Sequence, residues 1–163
     1  MKRILILCLL VFTFTGCGAV ETFETIGDIY QPLASPEPAA VNLLLPDDAA
    51  APVFNGQSGK LYFCQGYEIA VETLEAGDLN RTVTALTGYS EDSLTLLKTD
   101  SPQGLRYECA WSAAGGGGDQ VGRAVILDDG SYHYCLSLTA LADDAGSLQE
   151  CWQEITSSFQ LSS

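Results

Sequence analysis

Five of the six prolines in this 163-residue chain are Pro32, Pro36, Pro38, Pro46 and Pro52, and this clustering sets where a packed domain can begin. Proline lacks an amide donor and locks φ, so it interrupts helices and inner strands alike. Ala and acidic residues fill the gaps between the prolines. No helical or alternating period persists from residue 18 to about residue 58, which is the pattern of a spacer rather than a core. About 40 such residues reach roughly 140 Å when fully extended, while a flexible coil averages about 35–40 Å. Residues 41–45 (VNLLL) are too apolar for a pure spacer and leave room for packing back onto the domain.

What precedes the spacer has three parts. Lys2 and Arg3 form a cationic start, residues 4–14 (ILILCLLVFTF) are uncharged and apolar, and Thr15, Gly16 and Cys17 follow. A basic start, a short apolar run and a small residue at the cut make a secretory signal. The run is shorter than the roughly 20 apolar residues that a membrane-spanning helix needs. Phe14-Thr15-Gly16-Cys17 resembles the lipobox of bacterial lipoproteins, with Phe14 standing where that pattern usually has Leu. The resemblance implies diacylglyceryl attachment through a thioether at Cys17, then cleavage that leaves Cys17 as the new N-terminus. Two acyl chains anchor stably where one holds only marginally. The expected division is therefore a signal peptide at 1–16, a lipidated N-terminus and tether at 17–58, and a globular domain at 59–163.

Processing would remove Lys2 and Arg3, taking the formal charge from −14 to −16. Such acidity repels nucleic acid and anionic headgroups. Cys8 lies in the signal, which leaves Cys64, Cys109, Cys135 and Cys151 in the domain. An even number in an exported domain suggests two disulfides. The wide spacing, with no CxxC, argues against zinc or a thioredoxin-like motif. Of three connectivities, Cys64–Cys109 with Cys135–Cys151 is preferred, because the second bridge would tie a helix to the strand before it.

Beyond Lys60 the patterns become regular. Residues 61–63 and 67–74 read as strands, with Tyr67, Ile69 and Val71 on one face. Asp78 is placed as an N-cap, Leu79, Val83 and Leu86 fall at helical spacing, and Gly88 is the stop. Residues 94–99 are strand-like, and 105–111 alternate so that Leu105, Tyr107, Cys109 and Trp111 share a face. The glycine run 115–118 precedes a strand over 121–127. Asp128-Asp129-Gly130 then turns the chain into a strand over 131–139. Ser147 and Glu150 form a capping box for a final helix whose stripe is Leu148, Cys151, Trp152, Ile155 and Phe159. About six strands and two helices make an α+β domain with a mainly antiparallel sheet. This element order, with the Tyr132-x-Tyr134 to Ser158-Phe159 stretch, is similar to PsbP/DcrB-like domains over about residues 60–161. The resemblance implies an α/β/α sandwich with an accessory or assembly role, and carries over no functional residues.

Catalytic signals are sparse. His133 is the sole histidine, with Ser131, Ser137 and the Asp128-Asp129 pair near it in sequence; on a strand these side chains do not converge on a substrate, so a structural role is expected. The glycine run lacks a following Lys-Ser/Thr and links two strands, unlike a phosphate cradle. Asp128-Asp129 and Asp143-Asp144 suit turn formation and helix entry better than calcium, whose loop spacing is missing. The expectation is a non-enzymatic module without cofactor or metal. It would be held at the outer face of a bacterial membrane by lipid, where it binds an envelope protein partner. The alternative is a small-ligand lipoprotein with a pocket between the terminal helix and the sheet, and after it a hydrolase using His133.

Overall fold

The computed structural model describes residues 36–54 and 58–162. Among them lie β1 (Val41–Asn42), β2 (Val53–Phe54), β3 (Gly59–Phe63), β4 (Tyr67–Glu75), α1 (Leu79–Thr87), β5 (Leu97–Ser101), β6 (Gly104–Ala113), β7 (Gln120–Asp128), β8 (Tyr132–Leu141), α2 (Ala145–Ser158) and β9 (Gln160–Leu161). Seven of these described strands form one antiparallel sheet in the order β2-β3-β4-β8-β7-β6-β5. The α+β architecture read from the sequence is the one observed, with β2 as a two-residue addition at one edge. Residues 105–111 do alternate as read: Tyr107 lies opposite Ile126 and Cys109 opposite Ala124.

β4 and β5 are four antiparallel steps apart and so run in the same direction. Their connection must cross a face of the sheet, and α1 makes that crossing. Asp78 caps α1 by accepting the Asn80 N–H at 3.1 Å, and Gly88 ends it at φ 78°. Val83 then packs with Ile126 of β7 and Cys135 of β8. On the opposite face, Leu148, Trp152, Ile155 and Phe159 pack on Val125, Leu127, Tyr134, Leu136 and Leu138. With a helix on each face, the middle of the sheet loses its wet side. Ala124 to Leu127 and His133 to Leu138 are buried at every position, not at every second one.

Two elements differ from their sequence reading. Residues 94–99 were expected as a strand, yet pairing begins at Leu97 after a 3-10 turn at Glu91–Ser93. Leu94 and Leu96 pack under α1, so their apolar character serves that contact and not the sheet. α2 starts two residues before Ser147, fed directly by a 3-10 turn at Ala142–Asp144, and no side chain caps it. Ser147 and Glu150 therefore lie inside the helix and form no capping box.

The proline-rich segment crosses the α2 face. Ala39, Val41, Leu43, Leu45 and Ala49 pack against the core beneath α2. β1 pairs with β9, and the Ser162 N–H donates to the Ala40 carbonyl at 2.7 Å. The Ala39 N–H donates to Tyr134 Oη at 2.8 Å, Tyr132 Oη donates to the Pro36 carbonyl at 2.8 Å, and the Leu44 N–H donates to Ser158 Oγ at 2.9 Å. Residues 36–50 are thus a strap on the domain, and the backbone groups that proline leaves available are bound by the sheet and α2.

Candidate functional site

Cys17, the residues Phe14–Gly16 beside it, and the signal peptide lie outside the described residues. The four domain cysteines are all free thiols, and they divide by face. Cys109 and Cys135 point to the α1 side: Cys109 lies opposite Ala124, and Cys135 packs with Val83. Cys64 and Cys151 pack on the α2-side core. The preferred pairs Cys64–Cys109 and Cys135–Cys151 are therefore corrected. Each would have to pass through the sheet, and the first would also have to span from β3 to β6.

Burial pushes the Cys135 thiol up to about 12, helped by the Glu72 carboxylate, and burial also raises Cys109. Cys64 and Cys151 are half-buried and likewise raised, chiefly by desolvation. Tyr67 packs in the same core cluster as these two, and its phenol feels both sulfurs. Burial first, then those sulfurs, raise the phenol well above its ordinary value.

His133 is only 2% exposed. Its Nδ1 shares a hydrogen with Thr82 Oγ1 at 2.8 Å, and its Nε2 lies 3.8 Å from Asp128 Oδ2. Asp128 is its direct cross-strand neighbour. The sequence pointed to the Asp but missed Thr82, whose signal was a polar residue beside Val83 on the inner stripe of α1. The structure brings neither Ser131 nor Ser137 into a hydrogen bond with the ring. His133 and Thr82 are buried beneath α1, Asp128 is 20% exposed at the row's outer end, and the Thr–His–Asp row ties that helix to the β7–β8 hairpin.

The other candidates serve the backbone. Asp128 Oδ1 accepts the Gly130 N–H at 2.8 Å, and Asp129 Oδ1 accepts the Ser131 and Tyr132 N–H groups. Burial alone would raise the Asp129 carboxyl, but those two donors and the Tyr134 hydroxyl outweigh it and hold it below the usual value. Asp143 and Asp144 form the turn into α2. The glycine run is a turn closed by the Gly118 N–H on the Gly115 carbonyl at 3.1 Å. Among the described residues no group of three or more His, Cys, Asp or Glu side chains is placed to hold a metal.

Concave surface exists in several places. A cleft of about 490 Å³ lies between the strap and the β3–β4 hairpin, lined by Val41, Leu43, Leu45, Tyr62 and Val71 with Lys60. A second, of about 270 Å³, sits where the β3–β4 turn meets the start of α2. Phe63 and Leu141, both 44% exposed, line it with Tyr67 and Asp144. A third, of about 380 Å³, lies between the end of α2 and the sheet, lined by Arg106, Leu127, Thr156 and Phe159, in the region where the ligand-binding alternative expects a pocket. Under the middle of α2 the core is filled by Trp152 and Ile155.

No family model matches the sequence, and no curated protein matches it. Solved structures do resemble the fold. A Bacteroides thetaiotaomicron protein superposes with a TM-score of 0.53 at 12% identity over 76% of this chain, which spans 45% of that longer protein. The Saccharomyces cerevisiae Ran-binding protein Mog1p gives 0.51 at 11% identity, covering 75% of this chain and 90% of Mog1p. The cyanobacterial PsbP of Synechocystis gives 0.51 at 12% identity, covering 75% and 86%. At such identities the likeness concerns architecture alone, and the described domain has the Mog1/PsbP-like α+β fold.

Proposed function

We propose that this chain is a lipid-anchored, extracytoplasmic module of a bacterial envelope that binds a protein partner and catalyses no reaction. The observation that carries the reading is the run from Lys2 to Cys17, with its cationic start, apolar stretch and lipobox-like end. The burial of His133 supports it, because the sole histidine is spent on joining α1 to the sheet. The fold is compatible with a binding role: one protein that shares it is a Ran-binding protein. With residues 36–50 strapped to the domain, residues 18–35 are the chain left between it and Cys17, a length that reaches at most about 60 Å. The module would then work close to the membrane surface.

Labelling with a lipid precursor tests the anchor. The wild type should carry label and fractionate with membranes, and Cys17→Ser should lose both. Label retained on the variant would sink the reading. Capture from solubilised membranes should return the same partner in repeated preparations. A second reading is favoured by the cleft of about 490 Å³ under the strap, whose apolar wall and Lys60 suit an amphipathic anion. Saturable binding of a fluorescent fatty acid, weakened by Lys60→Glu, would favour that reading over the first.

A further inference from the structure

The β3–β4 turn lies directly against the start of α2. A Cβ added at Gly66 would lie 3.4–3.7 Å from the Asp144 and Ser147 side chains, in ordinary van der Waals contact. Cys64 stands at the head of that turn, closed by its own N–H on the Tyr67 carbonyl at 2.9 Å. Cys151 lies one helical turn beyond Ser147 on the same helix, so the contact that joins Gly66 to Ser147 also brings the two cysteines to the same flank of Tyr67. Both pack on one core cluster. Cys64 also lines one cleft with Tyr67 and Asp144 at the start of α2, and a bond to Cys151 requires their Cα atoms to come within about 4.4–6.8 Å.

We propose that Cys64 and Cys151 are a disulfide-forming pair that fastens the β3–β4 turn to α2, while Cys109 and Cys135 remain thiols. The oxidant is a disulfide donor, either a small molecule or a protein. One thiol loses its proton and attacks a donor sulfur, releasing one donor thiol and leaving a mixed disulfide. The second thiolate displaces the other half of the donor, so the protein gives up two electrons and two protons and the donor becomes two thiols. Cys109 and Cys135 are excluded by position: they are buried on the α1 side, with the sheet between them and this pair. The bond would close the wall of the cleft that presents Phe63 and Leu141, fixing the shape of that surface. The pairing rests on the placement of the side chains and is independent of the export reading.

The test uses the full chain, reduced and then equilibrated with oxidised glutathione. It is digested without reductant, and its linked peptides are identified by mass. The expected product joins the peptide bearing Cys64 to the peptide bearing Cys151, lighter by two hydrogens than the pair of thiols. Cys109 and Cys135 should be recovered unlinked. Oxidation should raise the melting temperature of the wild type, and Cys64→Ser should abolish that rise. Recovery of Cys64 or Cys151 joined to Cys109 or Cys135, or of both carrying only glutathione, would overturn the proposal. So would an oxidation-dependent rise that persists in Cys64→Ser.

Discussion

Tyr134 is fully buried at its ring, yet its hydroxyl connects two parts of the chain that are distant in sequence. It accepts the Ala39 N–H at 2.8 Å and donates to Asp129 Oδ2 at 2.9 Å. Tyr134→Phe deletes both bonds while removing a single oxygen, so little packing is lost. A bond to a charged acceptor contributes about 1.5–3 kcal/mol and a neutral one about 0.5–1.5 kcal/mol. Asp129 is exposed and keeps two backbone donors on its other oxygen, which places the first contribution at the low end. The sum is about 2.5 kcal/mol. At an m value of roughly 2 kcal/mol/M, the urea midpoint should fall by about 1 M.

The loss should also depend on pH. Asp129 is held below its ordinary 3.8 in the folded state, so its contribution is present above that value and disappears as pH falls through the lower folded value. The gap between wild type and Tyr134→Phe should therefore stay constant from neutrality to about pH 5 and narrow below about pH 4. Equal midpoints at neutral pH, or a gap that does not narrow in acid, would refute the reasoning that this phenol pins strap to hairpin.

A chain beginning at residue 51 would lose the apolar contacts of Val41, Leu43 and Leu45, each worth about 1 kcal/mol at partial burial, so thermal melting should fall and dye binding to exposed apolar surface should rise. An unchanged melt would show that the strap contributes nothing. Gly104 has φ 118°, and an added Cβ would collide with the Asp128 backbone carbonyl, which no side-chain rotation relieves. Gly104→Ala should cost about 2–4 kcal/mol in a denaturant titration, whereas Gly116→Ala, with open space around it, should change stability by less than about 0.5 kcal/mol. Cys135 combines complete burial with a thiol pushed up to about 12, so iodoacetamide at neutral pH should label it only as fast as the domain unfolds globally. Faster labelling would reveal local opening of α1.

Local signals in the sequence located most elements because the groups involved are neighbours in the chain. Asp78 and Gly88 bracket α1 since an N-cap oxygen and a positive φ act within one turn. Asp128-Asp129-Gly130 makes its hairpin through bonds that span two or three residues. Alternation from Leu105 to Trp111 follows from the pleat alone, as does the shared face of Tyr67 and Ile69. The false signals were local too: Leu94 and Leu96 look like a strand but are held by α1, and Ser147 to Glu150 looks like a helix start but lies within one.

What the sequence by itself determined, then, was the order of the main strands and helices and the α+β class. Tertiary structure alone decided which face each cysteine occupies, because a strand's two faces are fixed by which helix covers which side. It also brought Thr82 from α1 to His133, 51 residues away, and Tyr134 to Ala39, 95 residues away. Such partners leave no periodic trace, since each is a single contact made only after the sheet has assembled. The proline-rich segment shows the same division. Its composition predicts little regular structure, yet over residues 36–54 its amides and apolar side chains bind where β9, Tyr134 and Ser158 come together, and that meeting point exists only in the folded domain.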